Sequence, residues 1–264
     1  MKNKKIYLFI VCISILIAVG ITCLTVKAMN QDAVNITRGN IGNYGIDVSS
    51  YNGAINWNQV KESGISFVII RATCYSRNNG QGENGTKLCK DQRFEEYYAG
   101  AKSVGLKVGA YVYSYASSAY EADKEAELVV SYLNHRPLDL PVYYDIEDQT
   151  RKNAYMIQEN TDMAVAFCEK IKASDYWPGV YSSASFLTSY IQIDRLRTYD
   201  MWAARYLLND VIPFGADMTK VNEVLGYKFT YGNKYTNIYP AMWQYSEKGT
   251  VSGINGYIDL NYRY

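Results

Sequence analysis

The stretch Pro141-Val142-Tyr143-Tyr144-Asp145-Ile146-Glu147-Asp148 is a short apolar run that ends in acids. Its β-branched and aromatic content reads as a buried strand, Leu140–Glu147 at its widest. On a strand, residues two apart share a face, which points Asp145 and Glu147 the same way, roughly 6.5–7 Å apart along the backbone. Two carboxylates at the end of a buried strand repel one another. That repulsion raises the pKa of one of them and leaves an acid and a base at the same pH. Two surface acids on an edge strand, or members of an ion-pair network, would carry the same letters, so the neighbouring segments have to separate these readings.

Working outward, strand and helix patterns alternate. Tyr44–Val48 reads as a strand and Asn56–Ser63 as a short helix; Ile65–Arg71 is a second strand, followed by a helix over Asp91–Val104 that Asp91 caps and Gly105 closes. Lys107–Tyr115 is the third strand and Ser118–Leu133 an amphipathic helix, with Ala119, Ala122, Ala126, Val129, Val130 and Leu133 inward. The quoted strand, a long helix over Asn153–Ala173 and a strand at Gly179–Ser182 continue the rhythm. Such alternation means βα units and a parallel sheet. After a helix at Ser185–Ile191, Met201–Tyr206, Ala241–Tyr245 and Tyr257–Leu260 read as strands joined by loops.

Eight strands, five followed by helices and three without, fit an irregular (β/α)-barrel, whose active site belongs at the C-terminal ends of its strands. This places Asp47 on the first strand, Asp145 and Glu147 on the fourth and Asp259 on the last. The first and last strands of a closed barrel are neighbours, so Asp47 and Asp259 are expected to approach each other. Four carboxylates converging on one mouth make a poor structural device and a good glycosidase site. The 27 tyrosines among 264 residues agree, since an aromatic face with a polar handle suits sugar rings. Most of them, taken singly, are expected to pack in the core or rim.

The chain opens with Met-Lys-Asn-Lys-Lys, and residues 6–26 carry no charge, the pattern of an export signal that is also long enough to span a bilayer. Residues 1–28 are read as a signal peptide or signal anchor, 29–43 as a polar spacer and 44–264 as the catalytic barrel. Four of the 27 Lys and Arg fall in the leader, so the exported part carries 23 against 26 acids, a net charge of −3. This argues against nucleic acid as a partner and leaves the N-terminal segment as the one expected link to a membrane. A monomer is expected.

Cys74 and Cys89 flank a polar, Gly- and Asn-rich loop, and a disulfide closing it would stabilise by about 3 kcal/mol in the loop-entropy picture; two free thiols are the alternative. Cys168 falls on the apolar side of a helix, and His135 sits in a polar turn after one. One histidine and no close thiol pair speak against a zinc site and against a Ser-His-Asp triad, and no cofactor is expected.

Gly45-Ile46-Asp47-Val48-Ser49-Ser50-Tyr51-Asn52-Gly53, Ile55-Asn56-Trp57 and Phe67-Val68-Ile69-Ile70-Arg71-Ala72 resemble the opening of glycoside hydrolase family 25, the lysozyme-like N-acetylmuramidases. The likeness runs on through Val108-Gly109-Ala110-Tyr111, the quoted strand, Gly179-Val180-Tyr181-Ser182-Ser183, Trp202-Ala203-Ala204-Arg205-Tyr206, Met242-Trp243-Gln244-Tyr245-Ser246 and Gly256-Tyr257-Ile258-Asp259-Leu260-Asn261. Asn52 stands where many members have Gln, and Tyr97 where many have Asn; neither change touches an acid. The resemblance implies hydrolysis of the β-1,4 bond between N-acetylmuramic acid and N-acetylglucosamine in peptidoglycan. It makes Glu147 the general acid, with Asp145, Asp47 and Asp259 lining the site.

Asp145 then has two possible roles: a nucleophile, for which the carboxyl groups stand about 5–5.5 Å apart, or a guide for the substrate's own 2-acetamido group. Spacing on one strand satisfies either; the resemblance favours the acetamido route with retention. Arg71, Tyr113, Tyr181, Trp202 and Gln244 are the candidate sugar contacts. Arg71 would meet wall carboxylates or pair with Asp47 or Glu147. The competing readings are a chitinase-like barrel, whose longer Asp-x-x-Asp-x-Asp-x-Glu series is broken here by Leu140 and Tyr143, and a wall-binding barrel without turnover, which the four acids oppose.

Overall fold

β-Branched and aromatic runs separated by Gly, Asn and Asp turns make the strands Tyr44–Val48 (β1), Phe67–Arg71 (β2), Lys107–Tyr113 (β5), Val142–Asp145 (β6), Pro178–Ser183 (β7), Asp200–Ala204 (β8), Met242–Gly249 (β9) and Ile258–Arg263 (β10). In this computed structural model, which describes residues 43–76, 78, 80–206 and 240–264, they close into a barrel in the order β1-β10-β9-β8-β7-β6-β5-β2. The eight expected strands are all present. The leader 1–28 and the spacer, apart from Asn43, lie outside the described residues, and among the latter no helix is long and apolar enough to cross a membrane.

Every neighbouring pair from β1 round to β9 is parallel, whereas β10 runs antiparallel to both β9 and β1. Residues 250–257 are too few for the crossover that parallel strands need. The reversal brings the start of β10 to the C-terminal end of the parallel strands, and so carries Asp259 to the mouth.

The helices are Trp57–Glu62 (α1), Phe94–Ser103 (α2), Ala119–Leu133 (α3), Ile157–Ala173 (α4) and Ala184–Ser189 (α5). Asn56 caps α1 by accepting from Gln59 N (3.2 Å), and Ser118 caps α3 by accepting from Glu121 N (3.2 Å). Two helices start later than the sequence suggests. Asp91 accepts from Arg93 N (2.9 Å) in a turn ahead of α2, and Asn153 accepts from Tyr155 N (3.0 Å) in a 3-10 turn ahead of α4. Short polar side chains compete with helical backbone in this way.

Outward-facing Ile46, Val68, Ile70, Val108 and Tyr144 are buried under the helices, with Tyr144 and Phe167 of α4 4.7 Å apart. Inside the barrel, Trp202 gathers Tyr181 (4.3 Å), Tyr143 (5.1 Å) and Tyr111 (6.2 Å) above Phe67, Ile69 and Met242. Gly45 and Gly179 make room for these rings, since a Cβ at either would overlap Phe67 or Tyr143. The far end is closed by Asp200, which accepts from Tyr143 Oη (2.8 Å) and pairs with Arg263 (2.7 Å).

Thr73–Tyr75 (β3) and Leu88–Lys90 (β4) form a hairpin outside the barrel, at the two ends of the polar loop that Cys74 and Cys89 flank. Cys74 and Cys89 are register partners on it; both are free thiols, with Sγ atoms 3.2 Å apart. Cys168 is buried in α4 and His135 is exposed after α3, as their settings implied.

Candidate active site

The mouth is built at the C-terminal ends of the parallel strands. Asp47 on β1 and Asp259 on β10 are direct cross-strand partners, so their side chains share one face and hydrogen-bond to each other. Asp47 Oδ2 also accepts from Gln244 Nε2 (2.9 Å) and Asn261 Nδ2 (2.7 Å). These two amides are themselves held. Asn261 Oδ1 accepts from Trp202 Nε1 (2.8 Å), and Gln244 Oε1 accepts from Tyr181 Oη (2.8 Å) and Tyr206 Oη (2.7 Å).

Burial raises Asp47, and the bonds from Asn261, Gln244 and Asp259 oppose that rise. Asp259 has no such support: burial, then the charge of Asp47 and the bond to it, push its carboxyl up to about 9. At neutral pH, Asp259 therefore keeps its proton and is the donor toward Asp47.

Asp145 closes β6, with Tyr113 of β5 and Tyr181 of β7 as its register partners. Burial raises it well above the ordinary carboxylate value, Glu147 and Asp47 add to the rise, and Arg71 opposes it. Its Oδ1 is buried and, among the described residues, has no hydrogen-bond partner. Glu147 lies beyond the strand end, not on it as expected. One further inter-strand bond follows the strand, Ile146 N donating to Tyr181 O (3.0 Å), before Asp148 caps the turn at Gln149–Arg151. Glu147 is half-buried, and its pKa is raised first by burial and then by Asp47 and Glu247, against Lys152. Asp148 accepts from Thr150 N (2.8 Å) in its own turn.

The remaining candidates divide. Tyr113 and Tyr181 stand beside Asp145, and burial together with Glu147 and Asp145 raises both phenols. Trp202 and Gln244 are 1% and 3% exposed and lie beneath the acids, held by Asn261 and Asp47. Arg71 is paired with neither Asp47 nor Glu147. Its Nε donates to Asp91 Oδ2 (2.8 Å) and its Nη2 to Ser50 Oγ (3.0 Å), and Asp91 is 1% exposed. Asn261, Tyr206, Asp91 and Glu247 carry roles that sequence reasoning missed. The one available signal was the alternation that sets Asn261 on the same face of β10 as Asp259. Among the described residues, no group of three or more ligating side chains is arranged to hold a metal ion.

An eight-stranded barrel that gathers four interacting carboxylates at the C-terminal ends of its strands has the architecture of a glycoside hydrolase. The sequence profile of "Glycosyl hydrolases family 25" matches residues 46–254, and the chain belongs to that family. The "Autolytic lysozyme" of Clostridium acetobutylicum is 27% identical over 217 residues, covering 82% of this chain and 54% of that protein. The chain thus spans about half the length of this relative. The crystal structure of the bacterial lysozyme from Streptomyces coelicolor superposes with a TM-score of 0.57 at 26% identity, covering 84% of this chain and 92% of that one. A family 25 glycosyl hydrolase from Bacillus anthracis, at 22% identity and a TM-score of 0.61, covers 84% and 88% and shares the fold.

Proposed function

We propose that this protein is a peptidoglycan hydrolase of the lysozyme type, cleaving the β-1,4 bond between N-acetylmuramic acid and N-acetylglucosamine. The observation that carries this reading is Glu147, a half-buried carboxyl with a raised pKa, next to the unpartnered, buried Oδ1 of Asp145. Glu147 holds a proton to give to the leaving glycosidic oxygen as the anomeric C–O bond breaks. Asp145 Oδ1 accepts from the N–H of the substrate's 2-acetamido group and turns its carbonyl oxygen toward the anomeric carbon. That oxygen forms the new bond on the face opposite the departing sugar. Water, deprotonated by the Glu147 carboxylate, then opens the cyclic intermediate with net retention. The Asp47–Asp259 pair, with Asp259 as the donor, lines the mouth where the oxocarbenium-like state develops.

Digestion of purified peptidoglycan, with the first-formed anomer followed by NMR, tests the scheme. New reducing ends at N-acetylmuramic acid in the β-configuration are expected. The inverted anomer would exclude the acetamido route, and release of N-acetylglucosamine reducing ends would exclude the bond assignment. The basic-then-apolar leader supports delivery to the outer face of the membrane, with the barrel working on the adjacent wall as a monomer. Recovery of the protein only from the medium, without residues 1–28, would exclude a tether.

A further inference from the structure

Four tyrosines lead from the acidic mouth onto the β3–β4 hairpin and the loop after β1. Tyr113, level with Asp145 in the sheet, has its ring 5.1 Å from that of Tyr115, and Tyr115 lies 4.7 Å from Tyr75 on β3. Tyr51, after β1, lies under the Arg71 guanidinium at 4.9 Å. All four follow or end strands at the same rim of the barrel as the acids. Tyr75 and Tyr51 are 45% and 86% exposed. Single exposed aromatics are ordinary on a protein surface, but the ring-to-ring run Tyr113–Tyr115–Tyr75 beside an acidic mouth, with Tyr51 stacked on Arg71 at the same rim, is not.

The series is also braced. Tyr97 Oη donates to Ser49 O (3.3 Å) and to Gly53 O, and Asn52 Oδ1 accepts from Ser49 N (2.8 Å), which holds the loop bearing Tyr51. The two family departures, Asn52 and Tyr97, thus serve this loop. Asp91 Oδ2 takes Arg71 and Ser50 N (3.2 Å), tying that loop to β2. Lys87 Nζ, next to β4, donates to Tyr115 O (3.3 Å), and Cys74 and Cys89 face one another directly before Tyr75 and Lys90. Rigid rings lose little entropy when a ligand settles on them, and their hydroxyls reach its polar edge. Because Asp91 offsets the Arg71 charge, the surface suits uncharged sugar faces better than wall carboxylates.

We propose that Tyr113, Tyr115, Tyr75 and Tyr51 form an extended platform that binds N-acetylhexosamine units of a glycan strand beyond the cleaved bond. This rests on the glycosidase reading of the mouth, and the test separates the two. Sedimentation of Glu147→Gln with insoluble peptidoglycan measures binding without turnover. Adding Tyr75→Ala and Tyr115→Ala is expected to weaken the apparent Kd roughly three- to tenfold per ring, while Tyr75→Phe keeps it. In the active enzyme, Tyr75→Ala should raise KM on long glycan by a similar factor with kcat within twofold, and the effect should shrink on a tetrasaccharide. Unchanged binding in the double alanine variant, no binding by Glu147→Gln itself, or an equal loss on long and short substrates would overturn the platform. Wild-type protein that binds the wall without cutting it would overturn the glycosidase reading and leave the platform standing.

Discussion

Asp47 and Asp259 stand opposite each other on β1 and β10, separated by almost the whole chain and joined by a hydrogen bond at the barrel's seam. The seam is antiparallel because the last connection is short, and this places two carboxylates where a regular parallel barrel would set strand ends side by side. Asn261 and Gln244 donate to Asp47 and oppose the rise that burial causes there, and Asp259 keeps the proton.

Asp259 makes stability depend on pH in a definite direction. Its folded pKa, about 9, lies above the ordinary 3.8, so the folded state binds more protons than the unfolded state between those values. Its contribution is fully present below the ordinary value and declines as pH rises toward 9. Asp259→Asn should therefore flatten the fall of Tm between pH 5 and pH 9 in thermal melts. An unchanged slope would mean that Asp259 is not the proton carrier of the pair.

Glu147→Gln should lower turnover on purified peptidoglycan by roughly two to four orders of magnitude, the loss expected for a general acid, with an unaltered melting curve. In the wild type, the alkaline limb of kcat should lie above the usual glutamate value, because burial and Asp47 favour the protonated form. Near-normal turnover in the variant would remove Glu147 from this role.

Asn261→Ala takes a 2.7 Å donor from Asp47 and leaves the Trp202 indole N–H without its acceptor. A destabilisation of about 1–3 kcal/mol in denaturant unfolding is expected, together with a further rise in the Asp47 pKa. Asn261→Asp, which keeps the acceptor but sets a second carboxyl group against Asp47, should lose activity and stability together.

The Cys74 and Cys89 thiols are set opposite each other on an antiparallel pair, where Cα separations of about 4.5–5.5 Å fall within disulfide range. Exchange with a small disulfide such as oxidised glutathione should join them, releasing two reduced glutathiones, and mass spectrometry should show the loss of two hydrogens. The bridge should raise stability by about 3 kcal/mol in the loop-entropy picture. Cys74→Ser should abolish that gain; an equal response to oxidant in the variant would rule out this pair.

The strands and their order were legible because each is a local pattern: period-two burial, β-branched content and punctuating turns. The acids were legible for the same reason, since Asp47, Asp145 and Asp259 sit within or at the ends of such strands. Glu147 shows the limit, because alternation carried the strand two residues past its end at Asp145. Arg71 shows it again: its partner Asp91 looked like a helix cap, and nothing local reveals that the carboxylate turns back 20 residues to a guanidinium.

The sequence by itself determined the barrel and which carboxylates meet at its mouth, through local periodicity and the adjacency of first and last strands, and its motifs carried the resemblance to the family. Only the tertiary structure decided how those carboxylates are held. It set Gln244 and Trp202 beneath the acids, bonded to Asp47 and Asn261, made Asp259 the donor toward Asp47, and left Asp145 Oδ1 without a partner among the described residues. Protonation and hydrogen-bond partners depend on burial and on contacts across up to 214 residues, and neither quantity is a property of any short stretch of chain.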